Sequence, residues 1–387
     1  MSINDNDLTL NTPPAPETGV PEAAPVGTVK FQRAGQWQLA WWKFKRHRLA
    51  VVGGLVVILI YLVAIFAEFL APHDAGAYSA RYTYAPPQQL HFWDESGFGL
   101  FVHGYKVQVN KESFAREFVI DPEARIPVGL FVKGAPYRLW GLIPADIRLI
   151  GPLDPKQPMY LWGADRLGRD MLSRVIHGTR ISMTIGLVGV SLSLFFGILL
   201  GGLSGYYGGQ VDNVIQRAIE FLLAIPTIPL WMGLAAAIPP SMSPLQVYFI
   251  ITVILSLVGW TGLARVIRGR FLAIKNEDFV VAARLDGTSE LGIILRHMAP
   301  SFASHIIASV TLAIPVMVLS ETALSFLGIG LRPPVVSWGV LLQEAQNIRS
   351  VATAPWLLSP GIAVIVTVLA LNFFGDGLRD AADPYSE

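Results

Sequence analysis

Apolar residues in this chain gather into blocks separated by polar, glycine- and proline-rich stretches. Six blocks, 49–70, 181–203, 221–238, 247–263, 306–327 and 356–374, are long or apolar enough to cross ~30 Å of hydrocarbon as helices. Between the first two the pattern changes. The stretches VQVN, REFVI, GLFV, YRLWGLI and IRLIG alternate with a period near two and are punctuated by Gly and Pro, which predicts short β-strands within 82–152. So few residues bury only a modest core, so 71–160 reads as a small, mainly β insertion and not as a separately folding domain. The next stretch, 161–180, predicts an amphipathic helix along the membrane surface. Leu167, Met171, Leu172 and Val175 lie on one face, with Arg169, Asp170, Ser173 and Arg174 largely on the other. Pro226 and Pro229 in the third block and Pro315 in the fifth predict bends, because proline removes a backbone donor.

Composition sharpens this picture. Of 387 residues, 52% are hydrophobic and 15% charged, and the mean hydropathy is +0.49, outside the range of an ordinary soluble domain. The expected architecture is an all-α polytopic membrane protein with six spans: 49–70, then five within a core at 181–375. Residues 1–30 lack an apolar core and read as a disordered tail. Residues 31–48 form a basic segment whose Trp37, Trp41 and Trp42 suit contact with membrane lipid at the headgroup level.

With 29 basic against 28 acidic side chains the net charge is +1, which gives no reason to expect nucleic acid as a partner. Where the charges fall says more. Lys43, Lys45, Arg46 and Arg48 precede the first block, and Arg265, Arg268, Arg270, Lys275, Arg284 and Arg296 fill the loop between the fourth and fifth. By the positive-inside rule both places are cytoplasmic, as are the N-terminus and the C-terminal segment 376–387, and the insertion lies outside. The absence of cysteine excludes disulfides and Cys-based metal sites. His73, His91, His103 and His177 fall outside, scattered and without metal-ligand spacing, so no metal is assigned.

An internal energy source is missing. No Lys follows a Gly anywhere, so there is no P-loop, and Gly208-Gly209-Gln210 lacks the residues that would precede it in an ABC signature. No catalytic residue and no cofactor is assigned. Gly202-Leu203-Ser204-Gly205 fits the short pattern of rhomboid proteases, with His305 as a conceivable base, but Ser204 ends its span at a Tyr-Tyr-Gly-Gly turn. An ion-coupled secondary transporter is the stronger rival on hydropathy. It needs intramembrane acids, whereas Glu68, Glu220 and Glu321 sit near span ends, where they are expected to reach headgroup water.

One segment, KNEDFVVAARLDGTSELGIILRHMAP at 275–300, is too polar to cross a bilayer and too patterned to be slack. Residues 279–285 have helical potential and Asp286-Gly287 signals a turn. Thr288 or Ser289 then caps a second helix that Pro300 stops. This is a compact knuckle. Its Ala282, Ala283, Gly287 and Pro300 match the spacing of the EAA loop, here 274–300, of ABC-importer permeases. Val281 stands where that family has Glu, and Ala299 where it has Leu. Three further blocks, GADRLGRDMLSRVIHGTRIS, SETALSFLGIGLRPPVVSWG and FFGDGLRDAADP, resemble the dipeptide, oligopeptide and nickel branch of these permeases, second-type subunit.

The resemblance implies a type I permease fold in the bacterial inner membrane. It also implies pairing with a second homologous permease, two cytoplasmic ABC ATPase subunits that bind the ATP, and a periplasmic solute-binding protein that delivers peptides, or oligosaccharides and related solutes. It points to Ala282, Ala283, Arg284, Gly287 and Pro300 as the residues that couple to the ATPase.

Overall fold

A computed structural model describes residues 36–94, 97–109 and 116–382. The tail expected at 1–30 and the end of the C-terminal segment, 383–387, lie outside them.

Helix α1 (Gln36–Arg46) carries the basic segment, with Trp41 and Trp42 exposed. His47 breaks it and caps α2 (Arg48–Ile65), its Nδ1 accepting the Ala50 N–H at 3.1 Å. The apolar run predicted as 49–70 is thus helical to Ile65 and then bends at Phe66 into one further turn, Ala67–Leu70.

The alternating region folds as one antiparallel sheet of β1 (Leu90–Asp94), β2 (Gly97–Val109), β3 (Arg116–Leu139) and β4 (Ile143–Pro152), in sequence order. Period two turns Val102, Ile126 and Val128 inward, where they pack on Met159. The sheet is tied to the end of the first span through Arg148, whose Nη1 donates to the Ala71 carbonyl at 2.7 Å.

Helix α3 (Met171–Tyr207) overturns the expected surface helix at 161–180. Residues 161–170 are turns, and from Met171 one unbroken helix runs 37 residues, or about 55 Å. The faces were misassigned as well. Asp170, Ser173 and Arg174 are buried, because Asp170 caps the helix and Arg174 is neutralised by Asp165, so polar residues here pack inward.

The third predicted span, 221–238, is not one helix. Helices α4 (Gly209–Ala224) and α5 (Thr227–Ala236) meet at 87°. Pro226 ends the first, and Pro229 fits in the opening turn of the second, where its missing N–H costs no bond. Helices α6 (Pro244–Ile274), α7 (Asp278–Leu285), α8 (Ala303–Phe326), α9 (Trp338–Gln343) and α10 (Ser359–Ala382) follow, with a short helix, Ile348–Thr353, between the last two. Pro315 lies inside α8 without interrupting it. Among the described residues five helices are long and apolar enough to cross a membrane, and the bent α4–α5 pair brings the number to six when it is counted as one broken span.

Helices α3 and α6 touch backbone to backbone. Gly197, Gly201 and Gly205 recur every four residues on α3, and a Cβ added at Gly201 would lie 2.5 Å from the Ala264 carbonyl oxygen. Residue numbers rise together along this contact, from Gly189–Ser256 to Gly205–Phe271, so the helices run parallel. Helix α10 runs antiparallel to α2, with Gly53 against Ala370 and Gly377 against Ala50. The 274–302 segment and both described chain ends therefore share one face of the bundle. The sheet occupies the other.

Candidate functional site

The polar segment after α6 folds back on the bundle instead of hanging from it. Helix α7 ends at Leu285, and two residues on, Gly287 takes a φ of +74°, a backbone conformation that side-chain-bearing residues adopt only at a cost. There the Gly287 N–H reaches the Arg284 carbonyl and the Thr288 N–H reaches the Ala283 carbonyl, both at 3.1 Å. A Cβ at Gly287 would meet nothing within 4 Å, so the constraint is the dihedral and not packing. Ser289 then caps a short turn, Glu290–Gly292, by accepting the Gly292 N–H.

After it comes a π-helical stretch, Ile293–Met298, and a turn, Ala299–Ser301. Pro300 does not stop the helix as expected. It occupies the first turn of that last piece, where no N–H is required, and the break falls at Phe302 instead.

Inside the knuckle, Val280, Ala283, Ile293, Ile294, Met298, Ala299 and Phe302 pack on Ile267 and Phe271 of α6, with Leu203 and Tyr206 of α3 alongside. Two polar contacts pin the rim. Tyr207 donates to the Glu290 carboxylate, and the Arg284 guanidinium lies 5.5 Å from the Tyr206 ring centre with Nη2 3.3 Å from its hydroxyl. Beside them Arg268 grips Asp212 with two bonds of 2.5 Å, and Ser204 donates to the same carboxylate.

The five residues singled out from sequence divide accordingly. Ala283 is buried in the knuckle's own core, while Ala282, Arg284, Gly287 and Pro300 lie on the rim. Val281, at the position of the family's Glu, is exposed, and Ala299, at its Leu, is buried. Sequence reading missed the apolar part of the rim: Phe279, Leu285, Leu291 and Leu295 are exposed, Leu285 by 84%. Four such side chains on a polar loop between spans were the available clue.

At the opposite pole two of the three remaining sequence blocks, 163–182 and 320–339, acquire geometry. Asp165 is fully buried and accepts from Leu167 N–H at 2.8 Å, Arg169 Nε at 2.6 Å and the Arg174 guanidinium. Arg166, Arg169, Arg174, Tyr84, Glu344 and Ser350 line a cavity of 450 Å³. Burial pushes the Glu344 carboxyl above the usual range, against the Arg166 N–H that binds it at 2.8 Å.

Glu321 is a correction. It does not reach headgroup water but is fully buried, accepting from Ser337 Oγ at 2.7 Å, Ser325 Oγ at 2.8 Å and Ser182 Oγ at 3.3 Å. Its lone pairs are satisfied by hydroxyls from α3, α8 and the cap of α9, which is how a carboxylate can sit inside a bundle. Trp338 completes the joint, donating its backbone N–H to Ser182 Oγ and its Nε1 to the Val175 carbonyl, each at 3.1 Å. Glu68 pairs with Arg180 and Glu220 with Arg217.

The protease pattern assembles no nucleophile and base. Ser204 bonds Asp212 and Gln216, and the His305 ring meets Arg270 at 3.0 Å. Two of the histidines read as scattered do meet, because β1–β2 pairing brings the rings of His91 and His103 to 4.8 Å. No group of three metal-ligating side chains occurs among the described residues.

The chain resembles known proteins over most of its length. Residues 197–385 match the family model described as binding-protein-dependent transport system inner membrane component, and residues 35–87 match the N-terminal TM domain of oligopeptide transport permease C. The chain is 30% identical to the dipeptide transport system permease protein DppC of Haemophilus influenzae, over 89% of this chain and 93% of that protein. It is 31% identical to the di/tripeptide transport system permease protein DppC of Pseudomonas aeruginosa, over 89% and 90%. The glutathione transport system permease protein GsiD of Pectobacterium atrosepticum is 30% identical, over 90% and 91%.

Proposed function

This chain belongs to the family of binding-protein-dependent transport system inner membrane components, and from that premise we propose that it is the permease subunit of an ATP-driven importer of short peptides. A second, homologous permease completes the path. Two cytoplasmic ATPase subunits supply the work, and an extracytoplasmic binding protein supplies the cargo. The relatives' names, which speak of dipeptides, di/tripeptides and glutathione, favour peptides over oligosaccharides.

The observation that carries this reading is the knuckle: a packed, stiff element with an apolar and cationic rim, built on the face opposite the sheet. Free energy released in another polypeptide can reach a membrane bundle through a packed element that touches both and has two arrangements. In this reading Leu285, Ala282 and Arg284 touch the ATPase, Ala283 and Ala299 keep the contact stiff, Gly287 sets its turn, and Pro300 begins the exit toward α8. The knuckle face is cytoplasmic, as are both chain termini, and the sheet is periplasmic, in keeping with the cations around α1 and at 265–296.

Proteoliposomes holding the two permeases and the ATPases test it. With binding protein outside, uptake of a labelled dipeptide requires ATP inside and persists with an uncoupler. Uptake that continues without ATP and collapses with the uncoupler would assign the chain to ion-coupled transport instead.

A further inference from the structure

The loop joining β3 to β4 does not project into solvent. Trp140, at its start, donates its indole N–H to the carbonyl of Ile65, the last residue of α2, at 3.0 Å. The Arg180 guanidinium lies 4.5 Å from the Trp140 ring centre, and Phe69 packs 6.1 Å from Phe131 of β3. Trp140 holds a φ of +56°, a conformation costly for a bulky residue that persists only where its surroundings enforce it.

Between this hairpin and α2 lies a groove of 540 Å³, walled by Leu59, Leu62 and Phe66 on one side and Tyr137 and Leu139 on the other. Leu59 precedes Ile65 by six residues, so the groove descends about 9 Å along the span below the tryptophan. That depth lies within hydrocarbon for a helix that crosses ~30 Å of it. Next to the tryptophan, Leu142 and Ile143 are 79% and 61% exposed.

We propose that the β3–β4 tip dips into the leaflet nearest the sheet and that an acyl chain of a phospholipid fills the groove between the tip and α2. Continuity identifies the occupant. The groove floor is part of the outward face of α2, the least covered of the apolar helices, with 28% of its most apolar window buried. Leu59 and Leu62 are exposed on it, so the medium that bathes that face also bathes the groove. Tyr137 and Trp140 at the groove's mouth are the amphipathic rings that settle at headgroup level. An open strand tip exposing Leu142 and Ile143 to water would be an aggregation hazard; in a leaflet it is solvated.

The whole transporter, reconstituted in phospholipid bilayers containing a trace lipid with a diazirine midway along its acyl chain, tests the proposal. Photolysis is expected to place adducts on residues 59–66 and 137–139. The pair Leu62→Trp and Leu139→Trp, which fills the groove, removes the adducts at 137–139 while labelling of α8, α10 and the outward face of α2 continues. Adducts on α8 and α10 with none at 137–139 in the native chain would overturn the proposal, as would labelling at 137–139 that survives the filled groove.

A second measurement guards against misfolded variants. The chain has no cysteine, so Leu142→Cys provides its one nitroxide site. Collisions with oxygen exceeding those with a water-soluble nickel chelate are expected. The reverse order, or exclusion of both reagents beneath a neighbouring subunit, refutes lipid contact.

Discussion

Leu285 ends α7 with 84% of its surface exposed, so a substitution there should register on a partner and hardly at all on the fold. Covering such a leucine in an interface is worth about 1.5–3 kcal/mol. At 1.4 kcal/mol per decade, removing it weakens ATPase binding roughly 10- to 100-fold. Leu285→Asp should fall at the upper end, because the partner must also desolvate a carboxylate. The assay is titration of the solubilised permease pair with ATPase subunits, followed by peptide-stimulated ATP hydrolysis in proteoliposomes. Unfolding of the permease itself should move by no more than about 0.5 kcal/mol, as for other surface positions. Ala283→Leu is the internal contrast. Ala283 is buried against Val280 and Ile294, so overpacking costs about 1–3 kcal/mol and lowers the melting temperature. A Leu285→Asp permease that binds the ATPase and transports at wild-type levels would refute the assignment of the rim.

Gly287→Ala should destabilise by about 1–2 kcal/mol through its φ alone, since no atom crowds the site, and retain uptake. Gly287→Pro cannot adopt the turn, so the protein should still insert while ATP hydrolysis no longer drives uptake; normal uptake by this variant would contradict the proposed role. Gly201→Leu should force α3 and α6 apart and lower the unfolding midpoint in detergent, and an unchanged midpoint would argue against backbone contact along the seam. Glu321→Ala strands the Ser325 and Ser337 hydroxyls at about 1–3 kcal/mol each, read as faster hydrogen exchange across 327–343.

Hydropathy located the spans because the bilayer requires each to satisfy its own backbone bonds, a constraint written locally in sequence. Period-two alternation located the sheet for a similar reason. What escaped was set by partners distant in the chain. Arg174 looked like an outward-facing cation for a more local reason, because the turns at 161–170 that bring Asp165 over it, nine residues earlier, read as part of a surface helix. Glu321 looked interfacial because Ser182 lies 139 residues earlier. The 87° angle at Pro226 exceeds what one proline dictates and depends on where α4 and α5 pack. In the knuckle the Gly287 turn was readable from Asp286-Gly287, whereas the burial of Ala283 beneath an exposed Leu285 followed only from the way the segment folds back on α3 and α6.

Helix α3 touches the Arg284–Glu290 rim through Tyr206 and Tyr207 at one extremity and the Asp165–Trp338 assembly through Arg174 and Val175 at the other. Its glycines bring it into direct backbone contact with α6, so a displacement of one rod is passed to the other. Together they form a crank about 55 Å long. A 5° tilt about one end sweeps the other through about 5 Å, comparable to the pitch of one helical turn. With the fulcrum close to the knuckle, a small stroke there would become a large one at the opposite pole, without any intervening chain of rearranging side chains.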